Sequence, residues 1–145
     1  MGYAILIIIS VIGLDQLLKW WTVTHIPLGA TVFQNPIIDL TYLQNRGAAW
    51  SVFSGNRLLL LCIAFVASVI LLILIIKNYR HHKGLTVGLA LALGGALGNV
   101  IDRIRLGYVI DMFQVEFFQF PIFNLADVAL FFGVVIMVIM IIKED

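Results

Sequence analysis

Apolar residues in this chain are gathered into long blocks. Four runs, at roughly 3–21, 58–76, 85–104 and 122–142, each approach the ~20 residues that carry a helix across ~30 Å of hydrocarbon at about 1.5 Å per residue. Residues 22–57 are different. Pro27, Gly29 and Asn35-Pro36 break them repeatedly, and the segments Thr31-Val32-Phe33 and Ile37 to Leu43 are short, β-branched and partly alternating, as half-buried strands are. Residues 105–121 read as the connection between the third and fourth runs, with the fourth helix starting near Ile122. The pattern predicts one all-α membrane domain over residues 1–145. It has four spanning helices, a small extracytoplasmic β-sheet within 22–57 and a short extracytoplasmic loop at 105–121.

Composition sharpens this picture. The chain is 62% hydrophobic and 12% charged, with a mean hydropathy of +1.08, whereas soluble domains are about half apolar and a quarter charged. A net charge of +1 lacks the basic stripe that nucleic acid requires. The single Cys62 lies inside the second apolar run, so cysteine can build neither a disulfide framework nor a metal site. Met1-Gly2-Tyr3-Ala4 has no basic leader and Asp15 interrupts the run with no Ala-x-Ala site after it, so the first run is expected to be a retained helix. Leu6 stands where a myristoylation signal needs Ser or Thr.

Glycines and charges add orientation. Gly84 with Gly88, and Gly94 with Gly98, are spaced as small-xxx-small pairs, which predicts that the third helix approaches its neighbours closely at the centre of the bundle. The dense basic loop 77–84 shares a side with both termini, and the positive-inside rule places that side in the cytoplasm. His81 and His82 are adjacent within it and form a poor metal pair. On this topology Asp15, Asp39, Asp102, Asp111, Glu116 and Asp127 all fall toward the outer face.

Charge near hydrocarbon is costly and is usually paired or functional. Asp15 and Lys19 stand at i and i+4, followed by Trp20 and Trp21 at the expected depth of an aromatic belt; the pair is either structural or faces substrate. Asn99, Asp102 and Arg103 share one face of the third helix, where Arg103 could engage backbone carbonyls or support Asp102. Asn124 and Asp127 stand three apart at the start of the fourth. Asp111 in the loop and Asp127 just below the surface could converge. Two carboxyls in one site cannot easily both ionise, so one keeps its proton while the other takes one from water. This is aspartic hydrolase chemistry, with Asn99 and Asn124 orienting the acids. A serine triad lacks a base, since His25 is alone, and no H-E-x-x-H zinc motif is present. A proton-coupled transporter remains open on these residues, although such sites lie near the bilayer midplane. Purely structural pairing also remains open.

Five blocks carry a resemblance. Asp15-Gln16-Leu17-Leu18-Lys19, Asn45-Arg46-Gly47-Ala48-Ala49-Trp50, Gly94 to Arg103, Val109-Ile110-Asp111-Met112-Phe113 and Phe123 to Ala129 resemble, in order and over the whole chain, those of lipoprotein signal peptidase, the bacterial type II signal peptidase family. The resemblance implies an inner-membrane aspartic endopeptidase without metal or cofactor. It would cut prolipoproteins just before the diacylglyceryl-modified lipobox cysteine. It implies Asp111 and Asp127 as the catalytic dyad, supported by Asn99 and Asn124. Asn45 and Arg103 would meet the substrate backbone, Asp15, Lys19 and Gly47 would line the lipobox region, and Asp102 would stand behind them beside Arg103. The implied partners are lipidated prolipoproteins, membrane lipid and the cyclic peptide inhibitor globomycin, with a monomer sufficing. Phe113, Phe117, Phe118 and Phe120 make residues 105–121 an aromatic segment, expected to act as a lid or as an interfacial anchor.

Overall fold

Among the described residues the apolar blocks form four helices long and apolar enough to cross a membrane. The computed structural model describes residues 1–47 and 55–144, so the expectations for Ala48, Ala49 and Trp50 lie outside the described residues. The order is α1 (Gly2–His25), β1 (Thr31–Val32), β2 (Ile38–Asn45), α2 (Arg57–Asn78), α3 (Lys83–Arg105), β3 (Val109–Val115) and α4 (Leu125–Glu144).

α3 is the centre of the bundle. In its central window 61% of residues are buried, against 17–22% in the other three helices, which instead present side chains such as Leu17, Phe65 and Phe131 outward. Small residues allow the close approach. A Cβ on Gly95 would run into the backbone oxygen of Ala126, one on Gly88 would lie 2.8 Å from the Gly133 oxygen, and one on Gly133 would lie 2.6 Å from the Ala92 nitrogen. Gly94 turns the other way, toward Val11 of α1. The glycines therefore serve two neighbours, α1 and α4. At the opposite end from the sheet, Ala4, Ile75, Leu89, Ala90 and Leu93 pack as one apolar cluster, and the Tyr3 hydroxyl donates to the Tyr79 carbonyl at 3.1 Å.

The sheet has three antiparallel strands in the order β1-β2-β3. Two strands are foreseen by the pattern; β3 is not, and the segment 105–121 is thus only partly loop. In Val109-Ile110-Asp111-Met112, apolar residues occupy three of four positions, which hides the alternation. Ile110 and Met112 bury one face against Ile26 at the end of α1 and Tyr42 of β2, while Asp111 stands on the other. β2 pairs with β3 from Ile38↔Val115 to Asn45↔Val109, with an irregularity between Leu40 and Leu43. The turn from α3 into β3 needs Gly107, whose φ is +84°; its N–H returns to the Arg103 carbonyl at 3.2 Å, a glycine-terminated helix end.

α4 begins at Leu125, three residues later than the apolar run suggests, because Asn124 caps it. The Asn124 side-chain oxygen accepts from the Asp127 N–H at 3.0 Å, and the Asp127 carboxylate accepts from the Asn124 N–H at 3.2 Å. This is a reciprocal capping box with Asp in the third helical position.

Gly95→Ala should lower stability by about 1–3 kcal/mol, the usual cost of overpacking. Gly13→Ala, where an added Cβ meets nothing within 4 Å, should instead be neutral or stabilising by up to about 1 kcal/mol. Thermal unfolding of the purified variants in detergent checks both signs; equal melting temperatures would contradict the close approach.

Candidate active site

Two polar layers sit where α1, α3, α4 and the sheet meet. The lower layer is built on Lys19. Its ammonium lies 2.8 Å from Asp15 Oδ2, 2.8 Å from Asp102 Oδ2 and 2.9 Å from Asn99 Oδ1, which uses all three donors of a lysine. Exposure is 0% for Asp15, 1% for Lys19 and 2% for Asp102. Each acid then spends its remaining capacity on a neighbouring element. Asp15 Oδ1 accepts from the Ala126 N–H at 3.0 Å, and Asp102 Oδ2 from the Ile110 N–H at 3.3 Å. These are the residues just before Asp127 and Asp111. Among the described residues no buried side-chain polar atom lacks a partner.

The upper layer holds the two carboxyls in amide cradles. Asp111 Oδ1 accepts from Asn124 Nδ2 at 2.7 Å and its Oδ2 from Asn45 Nδ2 at 3.0 Å. Asp127 Oδ1 accepts from Asn99 Nδ2 at 2.8 Å. Asn124 Nδ2 also donates to Asn99 Oδ1 at 3.0 Å, joining the cradles. A donor from Lys19 and another from Asn124 fix Asn99 Oδ1 as an acceptor, so its NH₂ must face Asp127. Asn45 Oδ1 in turn accepts from the Gly47 N–H at 2.9 Å, and the Gly47 carbonyl accepts from Arg103 at 3.0 Å.

The expected residues thus divide into two groups. Asn45, Asn99, Arg103, Asp111 and Asp127 line one cavity of about 370 Å³, closed on its apolar side by Phe120, Ile122, Leu130 and Phe131. Asn124 bridges the carboxyls from behind, and Gly47 is held by Asn45 and Arg103. Asp15, Lys19 and Asp102 are buried beneath the cavity and are not among its lining residues. Asp102 also takes Lys19, not Arg103, as its partner. Sequence neighbours on a helix point about 100° apart, so Asp102 faces α1 while Arg103 faces the cavity. Gln16 was missed: it donates to Asp102 Oδ1 at 2.9 Å and Asp15 Oδ2 at 3.3 Å. Its position three residues before Lys19, inside an otherwise apolar run, was the available signal.

Burial pushes the Asp111 carboxyl up to about 7; donation from Asn45 opposes the rise, nearby Asp127 adds to it, and donation from Asn124 and the charge of Lys19 oppose it. A proton kept on Asp111 suits the local charge balance, since four carboxyl groups (Asp15, Asp102, Asp111, Asp127) face two cations (Lys19, Arg103). The N-terminus of α4 contributes a further partial positive charge beside Asp127. Two carboxyls of unlike environment, opening on one cavity, can act as an acid and a base on the same bond.

The family model described as signal peptidase (SPase) II matches residues 7–143. The chain belongs to the signal peptidase II family. Relatives called lipoprotein signal peptidase include that of Enterococcus faecalis, 46% identical over 92% of this chain and 84% of its own length. Another, from Latilactobacillus sakei, is 46% identical over 99% of this chain and 95% of its own. A solved bacterial membrane enzyme has a TM-score of 0.93 at 33% identity, covering 99% of this chain and 90% of that one. The signal peptidase II family is one of aspartic peptidases, in keeping with the carboxyl pair and the four-helix fold described above.

Two outcomes test this site. Lys19→Met should cost about 3–5 kcal/mol by leaving two buried carboxylates unpaired, and adding Asp102→Asn should recover part of that loss; denaturation in detergent reads both. The pH dependence has a definite sign. An acid raised in the folded state contributes stability fully below its unfolded pKa of 3.8, and loses it as pH rises through about 7. Wild-type melting temperature should therefore fall between about pH 4 and 7 more steeply than that of Asp111→Asn; parallel curves would contradict the assignment.

Proposed function

We propose that this chain removes signal peptides from diacylglyceryl-modified prolipoproteins, cutting just before the lipidated lipobox cysteine, with Asp111 and Asp127 as its catalytic residues. The observation that carries the reading is the pair of carboxyls in one cavity at the sheet end of the bundle, each held by its own asparagine. Asp127 takes a proton from water, whose oxygen adds to the scissile carbonyl carbon. Asp111 gives its proton to the carbonyl oxygen, and the tetrahedral intermediate collapses as one of its hydroxyls returns a proton to Asp111 and the C–N bond breaks. The departing cysteine nitrogen collects the proton held by Asp127. No metal or cofactor enters this scheme.

Depth supports a peptidase over a midplane transporter. Asp127 is the third residue of α4, and Asp111 lies on a strand beyond the end of α3. A signal helix cannot be cut while its carbonyls are engaged in helical hydrogen bonds, so the bond must be met where the chain unwinds at the membrane surface. We place the termini in the cytoplasm of a bacterium, the dyad near the outer face of the inner membrane, and the sheet on that surface. The substrate's acyl chains stay in lipid beside Leu130 and Phe131, both exposed on α4. Arg103 and Asn45 meet the substrate backbone, while Asp15, Lys19 and Asp102 act through the groups they position. Both acids lie on one chain, so a monomer suffices, and a cyclic peptide such as globomycin fits a cavity built for an unwound backbone.

Purified protein in detergent should cleave a diacylglyceryl-modified lipobox peptide. Asp111→Asn and Asp127→Asn should each abolish turnover while leaving thermal unfolding cooperative. Retained cleavage by either variant would remove that residue from the dyad. With Asp111 as the proton donor, kcat/KM should decline as pH rises through about 7; a rate that climbs through neutrality would reverse the two roles.

A further inference from the structure

A second cavity, of about 880 Å³, runs on from the first. Asn45, Phe120, Pro121 and Ile122 line both, so the larger space adjoins the one that holds the carboxyl pair. It follows the sheet away from the helices, from the end of β2 at Asn45 to the end of β3 at Val115. Residues 116–122 form its other wall. We propose that this trough seats the first residues downstream of the cleaved bond, held as extended chain and read through their backbone. The proposal rests on the peptidase reading above and adds the part of the substrate that reading leaves unassigned.

Direction comes first. A chain crossing the dyad leaves its signal helix on the side of α3 and α4, so the residues beyond the cut must depart on the side of the sheet, along the trough. Length comes next. Asp111 and Val115 are four residues apart on one strand, roughly 13 Å at about 3.3 Å per residue, so an extended segment of about four residues reaches from the scissile bond to the far end. The irregularity in β2 between Leu40 and Leu43 lies alongside this path.

Chemistry then fixes the class of ligand. Gln44, Gln114 and Gln119 line the space; Gln44 donates to the Tyr42 hydroxyl and Gln114 to Glu116, and an amide engaged through its NH₂ keeps a carbonyl oxygen to accept and a second N–H to donate. Such groups pair with a peptide backbone whatever side chains it carries. Arg46 and Glu116 stand in the same lining with opposite charge, so the trough has no net sign. The wall opposite the strands is aromatic. Phe117 and Phe118 rings lie 4.9 Å apart, Phe118 and Phe120 5.6 Å, and Phe120 and Phe123 5.8 Å. This continuous ring-to-ring path runs back to the dyad. The lining suits a short, extended, uncharged stretch of polypeptide, and binding energy gathered there can help to hold the scissile bond in place.

The test uses purified full-length protein in detergent and C-terminally amidated, diacylglyceryl-modified lipobox peptides bearing none, two, four or six residues after the cysteine. For the wild type, kcat/KM should rise with length until about three residues follow the cysteine, so that the four- and six-residue peptides are equal. Val115→Trp should fill the far end, lowering the four- and six-residue peptides about tenfold while leaving the two-residue peptide within about twofold. Gln119→Trp, on the exposed loop, repeats the obstruction without touching a strand. Equal kcat/KM at every length, or an equal loss on all peptides in both variants, overturns the trough assignment and leaves the peptidase reading standing. Absence of cleavage of every peptide by the wild type overturns both.

Discussion

A buried ammonium must find three acceptors or be expelled to water, and Lys19 finds its three on two different helices. Asp15 belongs to its own helix; Asp102 and Asn99 belong to α3. The consequences spread outward from there. Asp15 reaches the start of α4 and Asp102 reaches β3, fixing the peptide bonds beside Asp127 and Asp111. Asn99, held in one orientation by the ammonium, presents its NH₂ to Asp127. Such a network is weak evidence for stability, because desolvating the charges offsets much of their attraction. Its effect here is geometric: one cation sets the position of two carboxyls on two separate elements.

The same economy appears in the packing. Gly88, Gly95 and Gly133 bring α3 and α4 within backbone contact, so Asn99 near the end of one helix can reach Asp127 at the start of the other. A side chain at Gly95 would push apart the two elements whose spacing the Asn99–Asp127 bond requires. Bundle and carboxyl cavity are therefore not separate parts of this molecule.

Much of this was legible in the sequence, for reasons that differ from residue to residue. The four spans are written in the apolar blocks, since hydrocarbon thickness imposes their length. The pairing of Asp15 with Lys19 follows from helical spacing. β3 was hidden because both Val109 and Ile110 are buried beside Met112, which erases the alternation that marks a half-buried strand. The partner of Asp102 was hidden for another reason: Arg103 is next to it in sequence, yet the lysine that claims it is eighty-three positions away on α1. The later start of α4 was set by Asn124, a cap that an apolar run cannot reveal. Local pattern specified the elements; contacts between distant elements specified the site.

The capping box at the head of α4 has a consequence for how the molecule comes into being. Asp127 takes its orientation from a helix terminus, and that terminus exists only once α4 has coiled and docked on α1 through Ala126. The other polar residues that line the cavity, Asn45, Asn99, Arg103 and Asp111, precede α4 in the chain and emerge from the ribosome first. A nascent protein with three helices inserted would own Asp111, Asn45 and Asn99 and still lack the second carboxyl. The two-carboxyl cavity is therefore completed only by the final insertion event.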